Sequence, residues 1–259
     1  MSIVPTAAKP RQVLAMLALN AGHVVSASAL MTELWGQLHP RAATTTLHTY
    51  IGKLRRGIEL AIDGKSAYEA KKILVTEQLG YCMNVPIEAI DIGRYERLAR
   101  AGRMAADAGD YETAARNLEI ALQLWRGPVM TDVAVGAHLS IEGVRLEENR
   151  RSDLDLRIEA DLRLGRHRKV LAELAWLCTR FPMSENFCAK YMLALYRSGE
   201  QWRALEAFTR MRSILADELG VDPSTNLQEL YLAILRRDAA VEDFRFFTGN
   251  WALTGAKAG

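Results

Sequence analysis

Three stretches share one phase: Gly109-Asp-Tyr-Glu-Thr-Ala114, Gly165-Arg-His-Arg-Lys-Val170 and Gly199-Glu-Gln-Trp-Arg-Ala204. Each sets a glycine at a helix end and a small or branched apolar residue five positions later, which marks the turn of a helical hairpin. The second and third lie 34 residues apart, the period of a two-helix repeat, and each hairpin runs into a proline-marked break at Pro128, Pro182 or Pro223. A longer insert, "GPVMTDVAVGAHLSIEGVRLEE", displaces the first pair and leads into a long helix through Arg163. From Ile92 onward the pattern is helical throughout. Three such hairpins can bury a shared core and leave a concave face for a partner.

The first 90 residues follow another plan. A helix from Lys9 or Pro10 to Asn20, with Leu14, Leu17 and Ala18 inward, stops at Gly22. A short extended "HVVS" follows. Ser28 then caps a helix that carries Leu30, Leu34 and Trp35 and ends at Gly36, and Pro40 opens a third helix that ends near Leu60. A polar stretch leads to "ILVTEQLGYCMNV", two β-rich runs flanking Gln78, Leu79 and Gly80, which reads as a hairpin. Helix, helix, basic helix, hairpin is the order of a winged helix, in which the third helix enters the major groove and the wing lies against the backbone.

The third helix carries "TTTLHTYIGKLRR", residues 44–56. At 100° per residue, Leu47, Tyr50, Ile51, Leu54 and Ile58 form one apolar stripe, while Thr45, Thr49, Gly52, Lys53 and Arg56 point the other way. That outer face is small and basic. Threonine can read bases, and Lys and Arg bind phosphate or guanine. The competing reading is a solvated amphipathic helix that happens to be basic. Charge distribution favours the first: residues 1–90 hold nine Lys and Arg against six Asp and Glu, and the remainder 24 against 25.

The chain of 259 residues is 49% hydrophobic and 25% charged, enough to bury cores in two domains. Cys82, Cys178 and Cys188 have neither C-x-x-C spacing nor a nearby histidine pair, so they read as buried thiols of a reducing compartment. No apolar run reaches membrane-spanning length and the N-terminus lacks a signal peptide's apolar stretch, which implies a soluble, cytoplasmic protein with no membrane partner. Catalysis has little to stand on. His23, His39, His48, His138 and His167 are scattered singly, with no G-x-S-x-G, phosphate-binding glycine loop or H-E-x-x-H, and no metal or organic cofactor is implied. A helical-repeat scaffold without specific DNA binding is the stronger rival, and the basic helix followed by a hairpin speaks against it.

Together, "KPRQVLAMLALNAGHVVSASALMTELWG", "PRAATTTLHTYIGKLRR", "ILVTEQLGYCMNV" and "ADELGVDPSTNLQELYLAIL" resemble the SARP family, the actinomycete antibiotic-pathway activators, over roughly residues 4–238. These proteins join an OmpR-type winged helix to a bacterial transcriptional activation domain. The resemblance implies an activator of a secondary-metabolite gene cluster that binds double-stranded promoter DNA at direct repeats, as a dimer or as tandem protomers. It also implies recruitment of RNA polymerase holoenzyme through the sigma subunit. Two departures stand out. Only "SIVPTAAK" precedes the first helix, room for about one strand of the family's N-terminal sheet, and Gly52 stands where the family favours aromatic residues.

The expected fold is mainly α: a winged helix-turn-helix of three helices plus a β-hairpin, then an α-helical, TPR-like repeat domain. The boundaries are 1–87 for the DNA-binding domain, 91–240 for the activation domain and 241–259 for a tail. Candidate DNA contacts on the recognition helix are Thr45, Thr46, His48, Thr49, Lys53, Arg55 and Arg56. Weaker candidates are Gly80 and Tyr81 on the wing and Arg11 at the first helix. Tyr81 either packs under the hairpin or touches the DNA backbone, and Arg11 is either a phosphate contact or simply exposed. Trp35, Trp125, Trp176 and Trp202 read as core residues on apolar helical faces.

Overall fold

The computed structural model describes residues 5–62, 66–238 and 241. The first three residues of "SIVPTAAK", and the tail beyond Val241, lie outside the described residues. Contacts divide the chain into two compact units: residues up to Ala101 with Asn117–Leu154, and Gly102–Arg116 with the chain from Asp155 onward.

The first unit opens with α1 (Ala8–Leu19), β1 (Val24–Ser26), α2 (Ala27–Trp35), α3 (Ala43–Ala61), α4 (Ala67–Ile73), β2 (Leu74–Glu77) and β3 (Gly80–Met83). The three strands form an antiparallel sheet in the order β1-β3-β2, with Val25 opposite Tyr81 and Thr76 opposite Tyr81 on the other side. Strands β2 and β3 are joined by the two residues Gln78 and Leu79, a hairpin-length turn. The core lies under α3, whose Leu47, Ile51, Leu54 and Ile58 meet Val13, Leu17, Leu30 and Leu74. Each fully buried leucine here contributes about 1.5–3 kcal/mol relative to exposure.

Local chemistry shifts three expected boundaries. The cap of α2 is Ser26, whose Oγ accepts the Ala29 N–H at 3.1 Å, whereas Ser28 sits inside the helix. Pro40 opens a turn instead of a helix: its carbonyl accepts the Ala43 N–H at 2.9 Å, and α3 begins at Ala43. The polar stretch before the hairpin contains α4, whose seven residues are too few to display a period.

The chain then continues through a short 3-10 turn at Ile87–Ala89 into α5 (Asp91–Asp107), α6 (Tyr111–Gln123), α7 (Ala137–Arg163), α8 (His167–Arg180), α9 (Glu185–Arg197), α10 (Gln201–Leu219) and α11 (Thr225–Arg236). The second unit holds the three predicted turns. Gly109, Gly165 and Gly199 have φ of 79°, 73° and 86°, a left-handed conformation that a Cβ disfavours. Each turn closes identically. The N–H of Asp110, Arg166 or Glu200 reaches back five residues to a carbonyl at 2.9 Å, the closing bond of a Schellman motif. The partner positions Ala114, Val170 and Ala204 are fully buried, as the spacing required. Helices α9, α10 and α11 share a core of Met192, Leu193, Phe208, Met211, Leu230 and Ile234.

Two tryptophans depart from expectation: Trp176 is 61% exposed and Trp202 68%. Each lies two positions from a buried residue, Leu174 or Ala204, and two positions turn a helix by about 200°, to the opposite face. Trp35 and Trp125 are half-buried. The buried charges of this unit are paired. Asp161 receives Arg157 at 3.1 Å, Lys169 at 3.3 Å and Arg166 at 3.4 Å, and Lys190 meets Asp155 at 2.6 Å.

Candidate nucleic-acid interface

Helix α3 has two faces of opposite character. Its buried residues recur every three or four positions, and between them Thr45, His48, Thr49, Gly52, Lys53 and Arg56 are all exposed. These six follow a 3-1-3-1-3 spacing and make a continuous stripe along the helix. Thr46 is half-buried at its edge. Thr49 donates its hydroxyl to the Thr45 carbonyl at 3.0 Å, which commits the hydrogen to the helix and leaves the oxygen as an acceptor. Nothing lies within 4 Å of a Cβ built on Gly52, so no packing inside the protein demands glycine there. No side chain caps the first turn of α3, where Thr44 and Thr45 are exposed.

The wing stands beside α3 through one side chain. Arg55 donates from Nε and Nη2 to the Leu74 carbonyl at 2.9 and 2.7 Å, and from Nη2 to the Thr76 hydroxyl at 2.7 Å. Tyr81 is 5% exposed in the middle strand. Burial pushes its phenol above the ordinary value, and the neighbouring Arg55 guanidinium pulls it partly back. Leu79 at the wing tip is 76% exposed.

Comparison with known proteins gives this architecture its relatives. Residues 90–235 match the bacterial transcriptional activator domain, and residues 3–83 match the family described as transcriptional regulatory protein, C terminal. The chain is 47% identical over 241 residues to the regulatory protein DnrI of Streptomyces peucetius, covering 93% of this chain and 89% of that one. The chain belongs to the SARP family of transcriptional regulators. Regulatory protein AfsR of Streptomyces coelicolor is 37% identical over 243 residues, which cover 93% of this chain and 23% of AfsR. A solved structure of Mycobacterium tuberculosis EmbR in complex with a low-affinity phosphopeptide superposes with a TM-score of 0.80 at 35% identity, over 90% of this chain and 61% of that one.

Within this SARP regulator, four candidate contacts have structural employment, which for Tyr81 is the packing alternative of the sequence reading. Arg55 is not a free hand for phosphate, because its donors hold β2 against α3. Tyr81 packs under the hairpin and does not face outward. Gly80 is buried against β1, where an added Cβ would collide with the Val25 carbonyl, so glycine serves the sheet there. Arg11 donates to the Asp132 carbonyl at 2.7 Å, to its carboxylate at 3.2 Å and to the Pro5 carbonyl at 3.0 Å. Thr45, Thr46, His48, Thr49, Lys53 and Arg56 remain together on one surface.

One feature of the SARP unit escaped sequence reading. Glu33 on α2 is 4% exposed and caps the start of α7, accepting from the N–H groups of Gly136, His138 and Leu139. No described helix is long and apolar enough to cross a membrane, and the described residues contain no group of three or more acidic, histidine or cysteine side chains placed to hold a metal.

Proposed function

We propose that this regulator inserts α3 into the major groove of promoter DNA and activates a secondary-metabolite gene cluster. The observation that carries the reading is the exposed stripe Thr45, His48, Thr49, Gly52, Lys53, Arg56, backed by a helix face wholly committed to the core. Thr45, Thr49 and Lys53 of that stripe read bases. Arg56 holds phosphate, and Thr46 and His48 flank the contact. Gly52 lets the DNA approach the helix backbone. In this scheme the domains are 1–87 for DNA binding and 91–240 for activation.

Protomers bind head to tail on direct repeats about one DNA turn apart, about 10–11 bp, so that both recognition helices meet the same side of the duplex. The helical domain then recruits RNA polymerase holoenzyme through its sigma subunit. The relatives' names as regulators and the activator-domain match support the scheme. It is tested by footprinting the promoters flanking the gene and inserting half a turn between the repeats found. Cooperative binding is expected to disappear on insertion, and its survival would reject the tandem arrangement.

A further inference from the structure

The first unit contains a cavity of about 530 Å³ to which α3 contributes no residue. Its walls come from Ala15 and Ala18 on α1, Ile92 and Tyr95 at the start of α5, and the 124–133 segment that includes Trp125 and Met130. That volume is in the range that encloses a small organic ligand.

The aromatic wall is held rigidly. Trp125 meets Tyr95 edge-on with ring centres 5.2 Å apart, and the Arg150 guanidinium covers the indole at 4.7 Å. The Tyr95 hydroxyl is fixed in turn by the Asp153 carboxylate at 2.5 Å. A wall ordered in advance loses little freedom when a ligand arrives. The Nε1–H of Trp125 is buried and has no hydrogen-bond partner among the described residues, an unusual state for an indole. Met130 holds a positive φ of 56°, the kind of backbone strain that clusters at ligand clamps. The charges at the rim neutralise each other as Arg126 with Asp91 at 3.1 Å and Arg11 with Asp132 at 3.2 Å, so nothing there selects a charged ligand.

We propose that this cavity binds a flat, uncharged aromatic molecule that carries a hydrogen-bond acceptor. Such a molecule packs against the Trp125 indole, which the buried Tyr95 backs, and its acceptor engages the indole N–H as a small turn of the ring brings that group to the cavity. The cavity borders α1 at Ala15 and Ala18, while Val13 and Leu17 of the same helix pack in the core with Leu47 and Leu54 of α3. Occupancy therefore bears on the helix that seats the recognition helix.

The test uses the full chain and N-phenyl-1-naphthylamine, a neutral aromatic dye whose emission rises in apolar surroundings. One saturable site is expected. Thr131→Trp, at an exposed position on the cavity mouth, and Ala18→Phe, which fills it, should each weaken binding at least tenfold. Circular dichroism melting checks that each variant is folded, and Thr131→Trp carries the test if Ala18→Phe is not. A Trp176→Ala/Trp202→Ala double variant removes exposed indoles elsewhere and should bind normally. A non-saturable signal, unchanged binding by folded Thr131→Trp, or loss of binding in the double variant would overturn the proposal.

Discussion

The backbone N–H of Gly136 donates to the Glu33 carboxylate at 2.5 Å, across 103 positions of sequence. The same carboxylate receives His138 at 2.8 Å, Leu139 at 3.3 Å and the Gln12 amide at 3.0 Å. These backbone groups open α7, where N–H groups have no partner within the helix and the helix dipole favours a negative charge. Glu33→Ala leaves these N–H groups without their acceptor, although the Gln12 amide keeps its bond to the residue 33 carbonyl at 2.9 Å, and should cost about 1–3 kcal/mol in urea unfolding. Glu33→Gln, which keeps one carbonyl, should cost less. An unchanged unfolding midpoint in Glu33→Ala would contradict this account.

Arg55 and Arg56 are adjacent in sequence and separate in role. Arg55→Ala removes the fork on Leu74 and Thr76 and should destabilise the unit by about 1.5–3 kcal/mol, the range for bonds from a charged donor. Arg55→Lys should recover part of that loss, since a lysine cannot reproduce the planar fork. Arg56→Ala should leave stability almost untouched and lower the salt dependence of DNA binding by about one ion. Finding the stability loss in Arg56→Ala instead would reverse the assignment.

How much of this was legible depends on how local each cause is. Gly109, Gly165 and Gly199 could be read because a positive φ at a helix end leaves one conspicuous letter, and the buried Ala114, Val170 and Ala204 follow at a fixed offset. The α3 stripe could be read because helical periodicity sorts Leu47, Ile51 and Leu54 from Thr45, Thr49 and Lys53. Helix α4 was missed because seven residues hold too few turns for a pattern. Arg55 was read as a phosphate ligand because its partners on β2 depend on tertiary folding. The cap on α7 was hidden altogether, since Glu33 and Gly136 are neighbours only in space. Trp176 and Trp202 were assigned to apolar helical faces, yet each lies two positions from a residue that its helix buries, Leu174 or Ala204, and so takes the opposite face.

Gly52 lies in the middle of an exposed stripe with open space around it. Gly52→Ala should raise stability by up to about 1 kcal/mol through helix propensity alone. The same methyl stands where DNA approaches, so affinity for operator DNA should fall. Thermal melting and binding titration on one preparation check both signs. Increased stability with undiminished affinity would remove Gly52 from the contact surface.

Burial pushes the Cys178 thiol up to about 11, and Cys188 in the α9–α10 core is raised further. An unfolded cysteine ionises near about 8.5. The folded value is the higher one, so the contribution to stability is fully present below about 8.5 and is lost as pH rises toward about 11. Iodoacetamide labelling of Cys178 in the native protein should be slow at pH 8 and rise with pH toward 11, while labelling in urea should be fast at pH 8. Rapid native labelling at pH 8 would show that the thiol is not held neutral.

The outer face of α3 is the centre of the account, and binding titrations on operator and scrambled duplexes across several salt concentrations test it most directly. Thr49→Ala and Lys53→Ala, with folding checked independently, should each narrow the gap between the two duplexes by about 1–3 kcal/mol. Arg56→Ala should lower both affinities together. Wild-type discrimination retained by both Thr49→Ala and Lys53→Ala would mean that this stripe is a solvated face and that another surface reads the DNA.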